Sequence, residues 1–580
     1  MPFINTIRYS LLAVFALLAV VAAWQMFQLP LWGYYPLFLF VGIWGIFILT
    51  YYYTLAQKQA QLSALMLSVS SGILLSLGFP NSPLTPLLFV AFVPMLHAER
   101  HMPSAFTGRY FYNTFVIWNI LTTYWVSNSA LVAGMIAIWL NAFFMTVPMK
   151  LFSLVRRQLG DAIGYVAFVC FWLSWEHLHL RWELSWPWLT LGNAFAQQPN
   201  WVQWYEFTGV PGGGIWIMVA NILILYGIKN YPVIQYRFWF YAAVFILIPI
   251  GVSYIRLSKY NHLTDAHHEV AIIQPNYEPH YEKFVIDRDI QLQKCLRLAQ
   301  SCLTPTTEYL VFPETTFEGV LRNNIRESEP IRALQLFAKQ YPNLNIVSGV
   351  DAYKVYNTNE PLGKAARYSD RRDVYWESYN AAVQLSPNDS ISFYLKSRLV
   401  PGPEIIPYRT LFFFIEPLVD KLGGSFAGLG TQAQRSVFTY EGKKIAPVIC
   451  YESIYGEYIT EYIRAGAQAI FIMTNDGWWD DTAGYLQHLK FGALRAIETR
   501  RYIARAANTG TSSVILPTGE ITQSTAYGSD AAFIGKIGLR NEQTFYVQYG
   551  DYLSRIAIFF TILIFGIGLS TFIRVRRRAT

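Results

Sequence analysis

Charge is what this 580-residue chain has least of. Its acidic and basic residues together make up 14%, against roughly a quarter in an ordinary soluble domain. Cysteine is scarcer still, at four residues, and no disulfide framework fits them. Cys170 falls inside an apolar run and reads as packing. Cys295 and Cys302 lie on one helical pattern, "IQLQKCLRLAQSC", which separates them by about 10 Å along the axis, beyond the reach of an undistorted bridge. Cys450 has no obvious partner and is either a buried structural residue or a reactive thiol. Acidic residues are also few within the apolar runs, which argues against a transporter, because ionisable groups often mark a transport pathway. Glu176 and His177 stand at the end of one run and read as interfacial.

Apolar sequence is abundant: 53% of the chain is hydrophobic and 17% aromatic. It concentrates in residues 1–257 and in the last 30 or so. "SLLAVFALLAVVAAWQMF", "YYPLFLFVGIWGIFILTYYY" and "LSALMLSVSSGILLSLGF" each approach the ~20 residues that cross a bilayer. Further runs near 84–98, 110–129, 131–154, 162–179, 212–228 and 238–255 bring the first segment to about nine spans by hydropathy. "IAIFFTILIFGIGLSTFI" near the end adds one more. Lys58, Arg100, Arg109, Lys150, Arg156, Arg157, Lys229 and Arg237 sit in alternate loops, and Arg574, Arg576, Arg577 and Arg578 follow the last run. Under the positive-inside rule this places both termini in the cytoplasm and the segment between on the far side. The net charge of +8 therefore marks orientation, with no nucleic-acid surface implied. Alternatively the first run is a cleaved signal, since "AVVAAW" has small residues at the spacing of a cleavage site; the far-side placement is the same.

Residues 258–552 differ in kind: charges are frequent, turns recur, and no run is long enough to span. At about 290 residues this segment can bury its own core, and residues 553–580 then form a terminal anchor with a basic tail. Short apolar strands alternate with helical patterns: "HEVAIIQ", "EYLVFPETTF", "NLNIVSGVDAY", a hairpin turning at Pro387-Asn388-Asp389, "KIAPVIC", "AQAIFIMTNDGWW" and a closing pair around Pro517-Thr518-Gly519. Functional groups gather where α/β strands end, and Glu314, Lys396 and Cys450 are read at such positions. Singly, each has a bland reading: a solvated turn carboxylate, an edge charge, a core thiol. Together they make a chemical set. A thiol becomes an acyl acceptor once a base takes its proton or a cation stabilises the thiolate. A lysine can also stabilise an oxyanion, and a glutamate can shuttle the proton.

The order Glu, Lys, Cys on such strands resembles the nitrilase (carbon–nitrogen hydrolase) superfamily. "SLGFPNSPLTPLLFVAFVPML", "SWPWLTLGNAFAQ", "LVPGPEIIP", "ICYESIYGE", "TNDGWW" and "QHLKFGALRAIETRRYIARAANTGTSSVILPTGEI" narrow this to a resemblance to the apolipoprotein N-acyltransferase family, from about residue 70 to the end. The resemblance implies a polytopic α-helical membrane protein with an inserted α/β nitrilase-like domain, an α-β-β-α sandwich, in a bacterial inner membrane. It implies acyl transfer from a phospholipid to the amino terminus of a diacylated apolipoprotein, by a monomer needing no metal and no cofactor. By position Cys450 would be the nucleophile, Glu314 the base and Lys396 the oxyanion cation, with Glu404, Tyr451, Glu452 and Trp478 in support. "RWELSWPWLTLGN" suits the mouth of a lipid path, or plain bilayer anchoring by Trp182, Trp186 and Trp188. The chain departs from the family where "VPGPE" replaces the usual "VPFGE", placing Gly402 and Pro403 before Glu404. It departs again in the lid segment, where Tyr277, Tyr281 and Phe284 stand in place of a tryptophan. The first two spans look like an addition to the shared body. A membrane-anchored amidase of the same fold is the alternative.

Overall fold

The computed structural model describes residues 2–55, 59–230, 233, 235–260, 267–410 and 428–579, with side chains from residue 5 to residue 571 of these. Lys58 and the side chains of Arg574, Arg576, Arg577 and Arg578 lie outside them. Seven described helices are long and apolar enough to cross a membrane: Asn5–Gln28, Tyr35–Leu55, Gln59–Gly78, Leu131–His179, Val210–Lys229, Tyr236–Lys259 and Tyr552–Thr571. The fourth holds two of the apolar runs. It breaks at Gly160, whose φ of 86° is a left-handed conformation that glycine adopts without a Cβ clash.

Two runs read as spans do not meet that criterion. Residues 84–98 are divided into the short helices Leu88–Ala91 and Val93–His101, because Pro94 fits a first turn but not a helix interior. The amide freed at the break, on Phe92, donates to the Asn221 side chain at 2.8 Å, satisfying a group that lipid could not. The run at 110–129 lies in a helix that starts earlier, Ser104–Thr123, and ends in a tight turn at Tyr124–Asn128. Its polar residues are taken up by neighbours: Asn113 accepts from the Trp44 indole and donates to Ser68, and Asn119 accepts from Asn141. Glu176 stands near the end of its helix, which closes at His179. It is buried, its carboxylate accepting from the Trp172 indole at 2.9 Å and the Leu191 amide at 2.8 Å.

Beyond residue 267 the chain builds two sheets. The first has β1 (His267–Gln274), β2 (Tyr309–Leu321), β3 (Asn345–Val355), β4 (Arg367–Ser369), β5 (Val374–Leu385), β6 (Ile391–Leu395) and, joining antiparallel to β1, β13 (Ala531–Gly538). The second runs in reverse sequence order from β12 (Ile521–Ser524) through β11 (Ser513–Ile515), β10 (Ile503–Ala507), β9 (Ala469–Thr474) and β8 (Lys443–Ile449) to β7 (Phe438–Tyr440). The central strands β1–β2–β3 and β8–β9–β10 are parallel and buried on both faces, as parallel sheets require. Side chains alternate accordingly. Val270 and Ile272 of β1 join a core with Val448, Ile470 and Ile503 of the opposite sheet. Ala271 and Ile273 face a second core with Leu292, Cys295 and Ala299 of the helix Arg288–Cys302. Cys295 and Cys302 both lie on that helix and both are free thiols.

The helices Gly456–Arg464 and Ala483–Thr499 cover the second sheet, giving α-β-β-α layers. The inter-sheet core does not stop there: it continues through Phe491 and Leu494 into Trp188, Trp125 and Trp172 of the helical body. Sheet, outer helix and body are therefore packed as one apolar mass, and the seam is fixed by specific polar ties as well. Asp480 accepts from the Trp32 and Gly33 amides at 3.0 and 2.8 Å, and Gln487 donates to the Thr122 carbonyl at 3.1 Å.

Candidate functional site

Lys396 and Cys450 follow directly on strand ends, β6 closing at Leu395 and β8 at Ile449. Glu314 does not. It lies inside β2, in a bulge where pairing with β3 jumps from Phe312↔Ser348 to Phe317↔Val350. Bulges beside active sites re-aim side chains, and here the strand kinks over Gly349. A Cβ at Gly349 would stand 2.5 Å from the Glu314 Cα, so the approach requires glycine. Thr315, next in the bulge, has a φ of 46°.

The three side chains converge. The Lys396 ammonium, 1% exposed, donates to Glu314 Oε1 at 2.9 Å and to Glu404 Oε1 at 2.7 Å. Asn380 donates to the same two oxygens at 2.7 and 3.1 Å, and the Asn475 amide donates to Glu314 Oε2 at 3.1 Å. Burial alone would raise the Glu314 carboxyl, but the Lys396 ammonium and these hydrogen bonds outweigh it and hold the group below the ordinary carboxylate range. Burial likewise opposes the charge on Lys396, and the two glutamates overcome it, keeping the ammonium well above its usual pKa. The Cys450 thiol is pushed up, first by burial and then by the Glu314 charge, with Lys396 working in the opposite direction. The resting set is therefore a thiol, a carboxylate and an ammonium. The "VPGPE" loop reaches the site intact: Gly402 takes a φ of 99°, and Glu404 Oε2 accepts from the Val400 amide at 2.8 Å.

Cys450 itself has a φ of 46°, uncommon for a residue with a Cβ. Glu452 holds that turn. Its carboxylate accepts from the Ile449 amide before the cysteine (2.9 Å), from the Ser397 amide beside Lys396 (2.8 Å), and from the hydroxyls of Tyr394 (2.7 Å) and Tyr458 (2.6 Å). It thus ties the cysteine turn to the lysine strand. Tyr451 points the other way, donating to the Ser185 carbonyl at 2.9 Å in the helical body.

Behind the cysteine lies a buried relay that the sequence reading did not single out. His488 Nδ1 faces Asp476 Oδ1 at 2.9 Å, and its Nε2 stands 3.1 Å from the Cys450 carbonyl and 2.8 Å from Ser453 Oγ. Ser453 donates to that same carbonyl at 2.7 Å. Arg505 donates to Asp476 at 2.6 Å. Although buried, Asp476 is held down to about 2 by the charges of Arg505 and His488. A buried Asp–His pair twelve residues apart on separate elements gives no spacing signal, although "TNDGWW" and "QHL" each contain one member. Asn380, Asn475 and Lys283 are further site residues without a sequence signal. Lys283 is buried and donates to the Glu314 carbonyl at 3.2 Å and to the Thr315 hydroxyl.

Trp478 is half-buried. Its ring meets His280 and Phe284, and its carbonyl accepts from Ser129 of the helical body at 3.0 Å. Of the lid-segment aromatics, Tyr277 is buried while Tyr281 and Phe284 are exposed. Trp188 proves to be neither an anchor nor a mouth residue. It is buried against Trp125, Trp479, His488 and Tyr451, bracing the relay from the membrane side. Trp182 packs on Phe144 and His179.

Residues 71–223 match the apolipoprotein N-acyltransferase N-terminal domain, and residues 269–548 match the carbon-nitrogen hydrolase family. An apolipoprotein N-acyltransferase of Chlorobaculum tepidum is 28% identical over 509 residues, covering 85% of this chain and 94% of that relative. One from Geobacter metallireducens is 27% identical over 513 residues, covering 84% and 91%. One from Pseudomonas paraeruginosa is 27% identical over 427 residues, covering 70% and 75%. Among solved structures, a Saccharomyces cerevisiae member of branch 10 of the nitrilase superfamily is similar over 47% of this chain and 90% of its own, at 15% identity and a TM-score of 0.33. With both family matches in sequence order and relatives aligned across most of its length, the chain is similar throughout residues 71–548 to apolipoprotein N-acyltransferases.

Proposed function

We propose that this protein moves a fatty acyl chain from a membrane phospholipid to the α-amino group of a diacylated lipoprotein, through a thioester on Cys450. The observation that carries the mechanism is the buried convergence of Glu314 and Lys396 on the Cys450 thiol. As Sγ attacks the ester carbonyl, the Glu314 carboxylate takes the thiol proton, which a thiol with a raised pKa would not otherwise release. The Lys396 ammonium offsets the negative charge that grows on the carbonyl oxygen. Collapse expels the lysophospholipid alkoxide, which recovers the proton from Glu314. In the second half the lipoprotein amine attacks the thioester, Glu314 takes the amine proton, and the departing thiolate is reprotonated. Glu404 and Asn380 fix Lys396 and Glu314. Glu452, Tyr451 and the Asp476–His488 pair position the cysteine turn, and Trp478 braces the lid segment.

In this reading residues 1–257 form the membrane body, 258–552 the catalytic domain on the periplasmic face, and 553–580 the terminal anchor, both ends being cytoplasmic. The alternation of basic loops supports that orientation. A site against the body at the outer surface lets donor and acceptor keep their tails in the bilayer, sparing about 0.8 kcal/mol per methylene that extraction would cost. All the groups named come from one chain, so a monomer suffices. Purified protein given phospholipid labelled on its acyl chain should acquire a hydroxylamine-sensitive label that a diacylated lipopeptide discharges as an amide. A label absent from the wild type, or present after Cys450→Ser, would remove the thioester. Discharge to free acid without lipopeptide acylation would make the protein a hydrolase.

A further inference from the structure

A polar cavity of about 320 Å³ opens at the seam, between Thr190, Asn193 and Val210 of the helical body and residues 454–461. Pockets that hold small ligands run from ~300 to 1,000 Å³, so it can admit a headgroup-sized group. Its wall is made where three helices meet: the end of Leu131–His179, the start of Tyr552–Ala579, and Gly456–Arg464. Both of the first two leave the membrane body here. Leu178, Phe545 and Tyr549 nearby are exposed, an apolar and aromatic rim of the kind found at the depth of lipid headgroups.

Five carboxylates and five arginines line this cavity, and every carboxylate is engaged: Glu176 accepts from Trp172 and Leu191, and Glu461 pairs with Arg435 at 3.4 Å. Glu498 is paired with Arg495 at 2.7 Å, Asp551 with His177 at 2.9 Å, and Glu457 with both Arg181 and Arg555. Arg398 and Arg464 remain: among the described residues neither makes a hydrogen bond or an ion pair. Arg398 is half-buried and is steadied only by the faces of Tyr455 and Tyr458, at 5.3 and 5.6 Å. Two uncommitted guanidiniums in a partly enclosed cavity call for an anion, and guanidinium planes match phosphate oxygens. The cavity also abuts the catalytic machinery. Arg398 is two residues past Lys396, and the Tyr458 hydroxyl donates to Glu452.

We propose that this cavity is a phosphodiester-binding site that takes the headgroup of the acyl-donor phospholipid, with Arg398 and Arg464 as its anion-binding groups. That the bound lipid is the donor rests on the function proposed above; the binding site itself does not.

The test uses the full-length protein in detergent micelles. Native mass spectrometry counts retained phosphatidylglycerol, with diacylglycerol of the same chains and inorganic phosphate as comparison probes. Wild type should retain phosphatidylglycerol over diacylglycerol, and millimolar phosphate should displace it only weakly. Arg464→Gln, an exposed change, and Arg398→Gln/Arg464→Gln should progressively lose that preference. The double variant should raise the KM for donor phospholipid at least tenfold, while discharge of a preformed thioester by lipopeptide keeps its wild-type rate. Unchanged headgroup preference in the double variant would overturn the site, as would inorganic phosphate that competes as well as the lipid. If the preference depends on both arginines yet wild type forms no thioester from any phospholipid, the donor assignment falls and the lipid site stands.

Discussion

Replacing Lys396 by methionine separates two jobs that the proposed mechanism gives to one ammonium. The charge lies 2.9 Å from Glu314 Oε1, and both side chains are almost wholly buried. At an effective dielectric of ~20 that attraction is about 6 kcal/mol, which is what keeps a buried carboxyl ionised. Without it, burial is no longer offset and Glu314 moves from below the ordinary carboxylate range to above it. The variant should therefore lose its base as well as its oxyanion partner. Wild-type thioester formation should be flat across the neutral range, because Glu314 is ionised throughout. Lys396→Met should fall by about 10²–10³-fold from the missing oxyanion contact and should also acquire an acid limb, its rate rising tenfold per pH unit until Glu314 ionises. The assay is the initial rate of hydroxylamine-sensitive labelling from pH 5 to 9. A uniform loss with the flat wild-type profile retained would refute the coupling and leave Lys396 as an oxyanion contact alone. Stability should fall by about 3–5 kcal/mol, since the buried Glu314 and the half-buried Glu404 lose their partner, so the measurement belongs at low temperature with folded protein verified.

Gly349→Ala puts a methyl 2.5 Å from the Glu314 Cα, displacing the bulge; thioester formation should be lost at a cost of about 1–3 kcal/mol in stability, and normal labelling would show that the bulge tolerates movement. His488→Gln removes the imidazole that bridges Asp476 to the Cys450 carbonyl; misplacement of the nucleophile by about 1 Å should slow acylation about 10²-fold with the donor KM unchanged, whereas a wild-type rate would make the relay purely structural. Asp476, held down to about 2 from an ordinary 3.8, contributes stability that is complete above pH ~4 and lost as pH falls through about 2, on the order of 2 kcal/mol. Thermal melts from pH 5 to 2 should show that loss in wild type, and Asp476→Asn, less stable at pH 7, should lack that share of the acid sensitivity.

How far the site is legible in the sequence depends on how local each residue's reason is. Lys396 and Cys450 sit where an apolar strand stops, and the stop is visible in "FYLKS" and "PVICYE". Glu314 looks the same in "VFPETT", yet its strand continues to Leu321; the bulge is set by Gly349 on another strand, a partner with no signal in the local pattern. The same holds for Asn380 and His488, whose roles exist only once β5 and the helix Ala483–Thr499 are docked. In the helical body the error runs the other way. Hydropathy counts the residues around Phe92 as a span because it cannot see that Pro94 breaks the helix or that Asn221 rescues the freed amide. Trp188 reads as an anchor by residue type, and only the packing of Trp125, Trp479 and His488 makes it part of the wall behind the candidate site.

Cys450 and Thr315 show why so much of the surrounding structure is polar and buried. Each holds a left-handed backbone at a φ of 46°, a conformation that costs about 1–3 kcal/mol for a residue with a Cβ. Such strain persists only where neighbours over-determine it, and each position has its own set. At Cys450 the carbonyl is held by Ser453 and His488, and the amide before it is held by Glu452. At Thr315 the buried Lys283 ammonium grips both the hydroxyl and the Glu314 carbonyl. The desolvation of Lys283, whose pKa burial depresses, is thus part of the cost of aiming Glu314. A net hydrogen bond contributes about 1 kcal/mol, so two or three at each strained residue are enough to offset the backbone cost, and none is spare. It follows that substitutions at Glu452 or Lys283 should disable the thiol without touching the substrate, because they release the backbone on which the reacting groups are mounted.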